Sequence, residues 1–186
     1  MLIVEGPDGS GKTTLIQGLQ ERYGFEVAPR VVSKDAEALV DLKDWVEANL
    51  AEGFQDLIFD RHRLISEPIY GALLRPQAES GFDDFIWLSR QFNRLRRNRP
   101  VIIYCMPPKQ VVIDNIMADP ENDVVKPVAD KLYNMYAQHI GLVWGAGHPD
   151  IHPIIWDYTR DGQEEDPLAP FDYVIHRRFR RTKKEN

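Results

Sequence analysis

The sequence predicts an α/β fold, a five-stranded parallel sheet with helices on both faces. Three observations carry this. Short apolar runs recur along the chain, and helical segments with apolar residues three or four apart lie between them. The first run, residues 1–4, leads through Glu5 into Gly6-Pro7-Asp8-Gly9-Ser10-Gly11-Lys12-Thr13, the G-x-x-x-x-G-K-[ST] pattern of a phosphate-binding loop between strand and helix. Strands separated by helices pair in parallel, need cover on both faces and imply right-handed crossovers.

The elements follow in order. Residues 1–5 are the first strand. Residues 12–23 are helical, with Leu15, Leu19 and Tyr23 at four-residue spacing. Residues 25–32 are a second strand interrupted by Pro29. Residues 35–50 are amphipathic, with Leu39, Leu42, Val46 and Leu50 on one face and Gly53 closing the helix. Residues 56–60 are the third strand, and residues 63–74 and 82–97 are helices. Residues 101–105 are the fourth strand. Residues 109–117 and 124–143 are helices, separated at 119–123 by a break containing Pro120 and acidic residues. Residues 151–158 are the fifth strand and 171–181 the last helix. There is no repeat and no low-complexity segment.

A chain of 186 residues suits a single domain, spanning 1–186, with a proper core. With 43% hydrophobic and 28% charged residues, its composition is ordinary for a globular protein. No apolar run approaches the roughly 18 residues of a membrane span, so no membrane partner is expected. The chain starts directly with a strand, and no signal peptide is expected. The lone cysteine, Cys105, excludes an internal disulfide and fits a reducing, cytoplasmic setting. At the end of an apolar strand it reads as a core thiol. Charge is uneven. Residues 171–186 carry six basic side chains against Asp172 and Glu185, a balance of +4, which leaves −10 for the rest of a chain whose total is −6. The basic tail at 177–186 suits nucleic acid or a solvated terminus.

The loop states its own chemistry. Gly6, Gly9 and Gly11 let the backbone turn tightly and present N–H groups to phosphate oxygens. The helix that begins near Lys12 aims its positive dipole end the same way. Lys12 supplies a charge to the β/γ-phosphates, and the Thr13 hydroxyl is a candidate Mg²⁺ ligand. Gly6, Pro7, Asp8, Gly9, Ser10, Gly11, Lys12, Thr13 and Thr14 form the candidate nucleotide site. In a parallel sheet, ligands gather at the carboxyl ends of the strands. The third strand ends in Asp60-Arg61-His62. There Asp60 is placed to hold Mg²⁺ through water or to take a proton from an attacking hydroxyl. Arg61 is placed to grip an acceptor phosphate or to stabilise the transferring group. The competing reading makes Asp60 a helix cap and Arg61 a surface residue. His62 reads as a packing or capping residue.

These residues carry a resemblance. Val4-Glu5-Gly6-Pro7-Asp8-Gly9-Ser10-Gly11-Lys12-Thr13-Thr14-Leu15 resembles the opening of thymidylate kinases and their phage-encoded relatives, E-G-x-D-G-x-G-K-[ST]-T. Asp60-Arg61-His62 with Ser66 and Tyr70 is similar to that family's D-R-[YFW]-x-x-S-x-x-[AV]-Y. Residues 101–108, an apolar strand then Pro-Pro, are a weaker match. The resemblance implies a P-loop kinase fold, ATP and Mg²⁺ as co-substrates and a deoxynucleotide acceptor. It implies the cytoplasm, a host's if the chain is phage-encoded, and a homodimer is possible by the same analogy. By the resemblance Asp8 contacts the acceptor sugar's 3′-hydroxyl and Arg61 holds the acceptor phosphate. Arg30 is a second phosphate contact. Ser66 and Tyr70 belong to the acceptor side, where Tyr70, Phe92 or Trp87 would stack on the base.

The sequence also departs from that family. Thymidylate kinases carry a catalytic arginine in the phosphate loop or in an arginine-rich lid. Here the loop position is Ser10, and the lid-like segment 118–131 has only Lys126 and Lys131. Phosphoryl transfer needs cations around the equatorial oxygens. Arg90, Arg94, Arg96, Arg97 and Arg99 are the candidates, Arg90 and Arg94 first among them, with a solvated basic face as the alternative. Arg160, after the fifth strand, is placed to lie over the adenine.

Three functions follow as expectations. The first is transfer of the γ-phosphate of ATP to a thymidylate-like deoxynucleotide. The second, from the same wider family, is phosphorylation of 5-hydroxymethyluracil already in DNA, with the arginine cluster and basic tail tracking the polymer. The third is a non-catalytic nucleotide-binding switch, disfavoured by the presence of Asp60-Arg61 and the absence of a guanine-specificity motif.

Overall fold

The computed structural model describes residues 1–28, 57–75, 82–145, 153–160 and 166–179, with backbone alone at 82–85 and 143–145. Five strands form one all-parallel sheet: β1 Leu2–Glu5, β2 Glu26–Val27, β3 Leu57–Asp60, β4 Val101–Cys105 and β5 Ile154–Trp156. Their spatial order is β2-β3-β1-β4-β5. β1 is therefore central, flanked by β3 (Val4 beside Asp60) and β4 (Glu5 beside Tyr104). Buried on both faces, β4 and the first three residues of β1 read as continuous apolar runs rather than as alternating ones.

Six helices among the described residues cover the sheet: α1 Lys12–Tyr23, α2 Arg63–Leu74, α3 Phe82–Arg97, α4 Lys109–Ala118, α5 Ala129–Gly145 and α6 Ala169–Phe179. Two hydrophobic clusters mark the two faces. Leu2 and Val4 point to the side where Leu15 and Leu19 of α1 pack with Phe171 and Ile175 of α6. Ile3 points to the other, with Leu64, Leu95, Val112, Leu132 and Tyr136 from α2 to α5. Each fully buried Leu or Ile contributes about 1.5–3 kcal/mol, so this double cover holds the central strand firmly. Side chains alternate along a strand, which puts Glu5 on the same face as Ile3, beneath α2 and α5.

Several elements coincide with the sequence reading, and the differences have local causes. The expected helix at 124–143 starts only at Ala129. A 3-10 turn at Lys126–Val128 precedes it, because Pro127 cannot donate within a helix interior. A second 3-10 turn, Pro120–Asn122, is capped by Asp119, whose side chain accepts from Glu121 N at 2.9 Å. β5 is shorter than expected: Pro153 precedes it, and Asp157 ends it by accepting from Thr159 N (3.0 Å) and Thr159 Oγ1 (2.7 Å). The last helix begins two residues early, at Ala169. In the expected second strand, Glu26–Val27 is extended. Residues 29–32, the expected helix 35–50, Arg30 and tail residues 180–186 lie outside the described residues. No helix among the described residues is long and apolar enough to cross a membrane.

Candidate active site

The loop between β1 and α1 is folded tightly against the sheet. Gly6 has φ 141°, and a Cβ there would stand 2.5 Å from the Cys105 carbonyl oxygen and 2.9 Å from Ser10 Oγ. Only glycine fits both the backbone and the space. Gly11 caps α1 in the left-handed conformation, with the Tyr158 ring 3.0 Å from the position of a Cβ. Asn115 of α4 fastens the loop from outside: its Nδ2 donates to Gly9 O at 2.8 Å and to Tyr158 Oη at 3.1 Å. The buried Ser10 Oγ has no hydrogen-bond partner among the described residues. Lys12 is buried, and its Nζ donates to Pro7 O at 2.5 Å, so the ammonium sits inside the loop. Burial lowers its pKa to about 8, helped by Arg61 and opposed by Asp8, Cys105 and Asp60. Thr13 and Thr14 are exposed at the start of α1.

Across from the loop, β3 turns into α2 through Asp60, Arg61 and His62. Arg61 has φ 65°, a left-handed conformation uncommon for a residue with a Cβ and frequent at functional sites. Its N–H donates to Val4 O at 2.9 Å. Its guanidinium lies 4.8 Å from the Tyr70 ring centroid, donates to Tyr70 Oη at 2.8 Å and forms an ion pair with Asp8. Tyr70 Oη in turn donates to Asp8 Oδ2 at 2.8 Å. Burial works to raise the Asp8 pKa, but Arg61 and Lys12 outweigh it and hold the carboxyl below its usual range. Burial also opposes the charge on Arg61, yet Tyr70, Tyr136 and Asp8 around it keep its pKa above that of free arginine.

His62 is the N-cap of α2. Its Nδ1 accepts from Leu64 N at 3.3 Å, and burial pushes its pKa down to about 3, so the neutral ring carries its proton on Nε2. The cap is therefore His62, one of the two roles read for it, and not Asp60. Ser66 Oγ donates to His62 O at 3.3 Å within the same helical turn.

Glu5 is the site residue that motif reasoning passed over. It is fully buried at the carboxyl end of β1. Oε1 accepts from His62 N at 2.6 Å and Oε2 accepts from Tyr136 Oη at 3.1 Å. Burial raises its pKa to about 7 against the pull of the His62 N–H, Arg61, Tyr136 and Lys12. The signal was present: a carboxylate ending an otherwise apolar central strand must be satisfied inside the fold.

The structure thus brings Asp8, Lys12, Asp60, Arg61 and Tyr70 together around the loop mouth. The other candidates have surroundings and partners of their own. Arg90 and Arg94 are exposed on α3, where Arg94 Nη1 donates to Gln91 Oε1 at 2.8 Å. Arg160 is exposed, with Nε 3.4 Å from Asp157 Oδ2. In the lid-like segment, Lys126 pairs with Asp123 at 2.7 Å. Trp87 and Phe92 are half-buried against the core. No group of three or more His, Cys, Asp or Glu among the described residues could hold a metal ion by itself.

No protein-family model matches the chain, and no curated protein matches it by sequence. Solved structures do match it in shape. The YorR protein of Bacillus subtilis, in complex with phosphorylated GDP, superposes with a TM-score of 0.62 at 13% identity, covering 95% of this chain and 96% of its own. Deoxyadenosine kinase from M. mycoides superposes with a TM-score of 0.59 at 16% identity with bound dCTP, covering 94% and 99%. With bound dATP the values are 0.58 and 14%, covering 93% and 98%. The chain therefore has the P-loop nucleotide-kinase fold.

Proposed function

We propose that the protein is an ATP- and Mg²⁺-dependent kinase that transfers the γ-phosphate of ATP to a thymidylate-like deoxynucleotide. The observation that carries this is Arg61, a largely buried guanidinium held across the phosphate loop by Asp8 and Tyr70. A cation presented there, beside a loop built for a triphosphate, suits a second phosphate group. The glycine cradle, the Ser10 hydroxyl and the Lys12 ammonium fit the β- and γ-phosphates. The exposed Thr13 hydroxyl and the Asp60 carboxylate fit Mg²⁺, which takes most of its ligands from water and phosphates. When bound, the ion neutralises charge on those phosphates.

In this reading Arg61 grips the acceptor phosphate, and Asp8, already bonded to Arg61, accepts from the sugar's 3′-hydroxyl. Tyr70 lines the same side, with Ser66 and Arg30 as further acceptor-side residues. An acceptor phosphate oxygen forms the bond to the γ-phosphorus, the bond to the bridging β–γ oxygen breaks, and ADP leaves with that electron pair. A phosphate acceptor is already anionic and needs no general base. Lys12 and Arg61, with Arg90 and Arg94 as further candidates, stabilise charge on the transferring group. Arg160 contacts the adenine.

A second reading is phosphorylation of 5-hydroxymethyluracil in DNA. It is favoured by the exposed arginines of α3, Arg90, Arg94 and Arg97, with Arg99 just beyond, which suit a polyanion. A hydroxyl acceptor would also give Asp60 work as a base. Labelled ATP and Mg²⁺, offered with dTMP, other deoxynucleotides and DNA containing 5-hydroxymethyluracil, separate the two. Label in dTMP is expected. Label in DNA alone replaces the first reading by the second, and label in no acceptor removes both.

A further inference from the structure

We infer that Glu5 is a positioning residue whose side chain clamps the turn leaving β3 and so aims Arg61 at the acceptor. Two bonds from the central strand hold that turn. Arg61 N–H donates to Val4 O at 2.9 Å, and His62 N–H donates to Glu5 Oε1 at 2.6 Å. The first is a backbone bond that any residue at position 4 provides. The second needs an acceptor at the end of the side chain of residue 5. Between the two anchors Arg61 adopts its left-handed φ of 65°, a conformation that persists only where the surroundings over-determine it.

The clamp is closed on its other side. Glu5 Oε2 accepts from Tyr136 Oη at 3.1 Å. The Tyr136 ring meets the Tyr70 ring edge-on, with centroids 6.3 Å apart. Tyr70 Oη bonds both Arg61 and Asp8. Glu5, His62, Arg61, Tyr70 and Tyr136 thus form a ring of contacts linking β1, the turn, α2 and α5. Leu2, Ile3 and Val4 show that this strand otherwise takes aliphatic side chains. A carboxyl group in so buried a place is destabilising unless bonded, and both its oxygens are used to hold site residues.

This inference rests on Arg61 as the ligand of the acceptor phosphate, and its test separates the two claims. Glu5→Gln keeps an acceptor oxygen for His62, whereas Glu5→Ala removes it. In the full chain, Glu5→Ala is expected to raise the KM for dTMP about tenfold or more while the KM for ATP stays within about twofold. Glu5→Gln is expected to match the wild type in both. Amide hydrogen exchange at His62 is expected to accelerate in Glu5→Ala and not in Glu5→Gln. An unchanged KM for dTMP in Glu5→Ala, or an equal loss for both substrates, overturns the inference. Should the wild type phosphorylate no acceptor, the kinase reading fails by itself, and unchanged His62 exchange in Glu5→Ala then overturns the clamp. Should Glu5→Ala not fold, Tyr136→Phe takes its place: a rise of about threefold in KM for dTMP alone supports the clamp, and no change overturns it.

Discussion

Asp8 and Arg61, 53 residues apart in sequence, form an ion pair across the mouth of the phosphate loop, with side chains 22% and 17% exposed. The pairing follows from the parallel register of β1 and β3, which sets Val4 beside Asp60 and so brings the two strand ends to one edge. Removing one partner of such a pair leaves the other charge poorly compensated. Asp8→Ala should destabilise the fold by about 3 kcal/mol in urea denaturation.

The same pair sets an acid limb. The Asp8 pKa in the fold lies below its free value of 3.8. Its contribution is therefore complete above pH 3.8 and lost as pH falls through the lower native value. Asp8→Asn should lack this limb, and a loss of stability in acid identical to that of the wild type would assign it to other groups.

Glu5 behaves in the opposite sense. Its pKa is raised from 4.5 to about 7. The stability this represents is complete below pH 4.5 and lost as pH rises through 7. Glu5→Gln does not ionise, so between pH 4 and pH 8 its stability should gain on the wild type by at most about 3 kcal/mol. Denaturation curves at the two pH values measure the difference.

Two glycines with positive φ should answer differently to alanine. At Gly6 a Cβ meets the Cys105 carbonyl oxygen at 2.5 Å, so Gly6→Ala should destabilise by about 3 kcal/mol or more and weaken ATP binding. At Gly24, φ 72°, a Cβ meets nothing within 4 Å, and Gly24→Ala should bring only the left-handed strain of about 1–2 kcal/mol. Thermal melts and ATP titration of both variants check this.

Much of this architecture was legible in the residues. The loop declared the strand and helix on either side of it, and α1, α2, α3 and β4 have the bounds that apolar spacing predicts. Asp8 and Arg61 each stood out for a ligand, but their contact with each other did not, since it depends on which strands neighbour in the sheet. Glu5 escaped for a related reason. Its partner Tyr136 is 131 residues away, and only the packing of α5 over β1 brings the two together. α5 starts later than apolar spacing implies because the pattern of apolar residues runs on through Pro127, where a helical backbone cannot.

The proposed kinase activity turns on Arg61 binding the phosphate of a nucleotide acceptor opposite the ATP loop. Steady-state transfer from labelled ATP to dTMP, by the wild type and by Arg61→Ala, measures this. Transfer by the wild type is expected, and in Arg61→Ala a KM for dTMP raised about 100-fold, near 2.7 kcal/mol, with the KM for ATP little changed. A KM for dTMP that does not move in Arg61→Ala would contradict it.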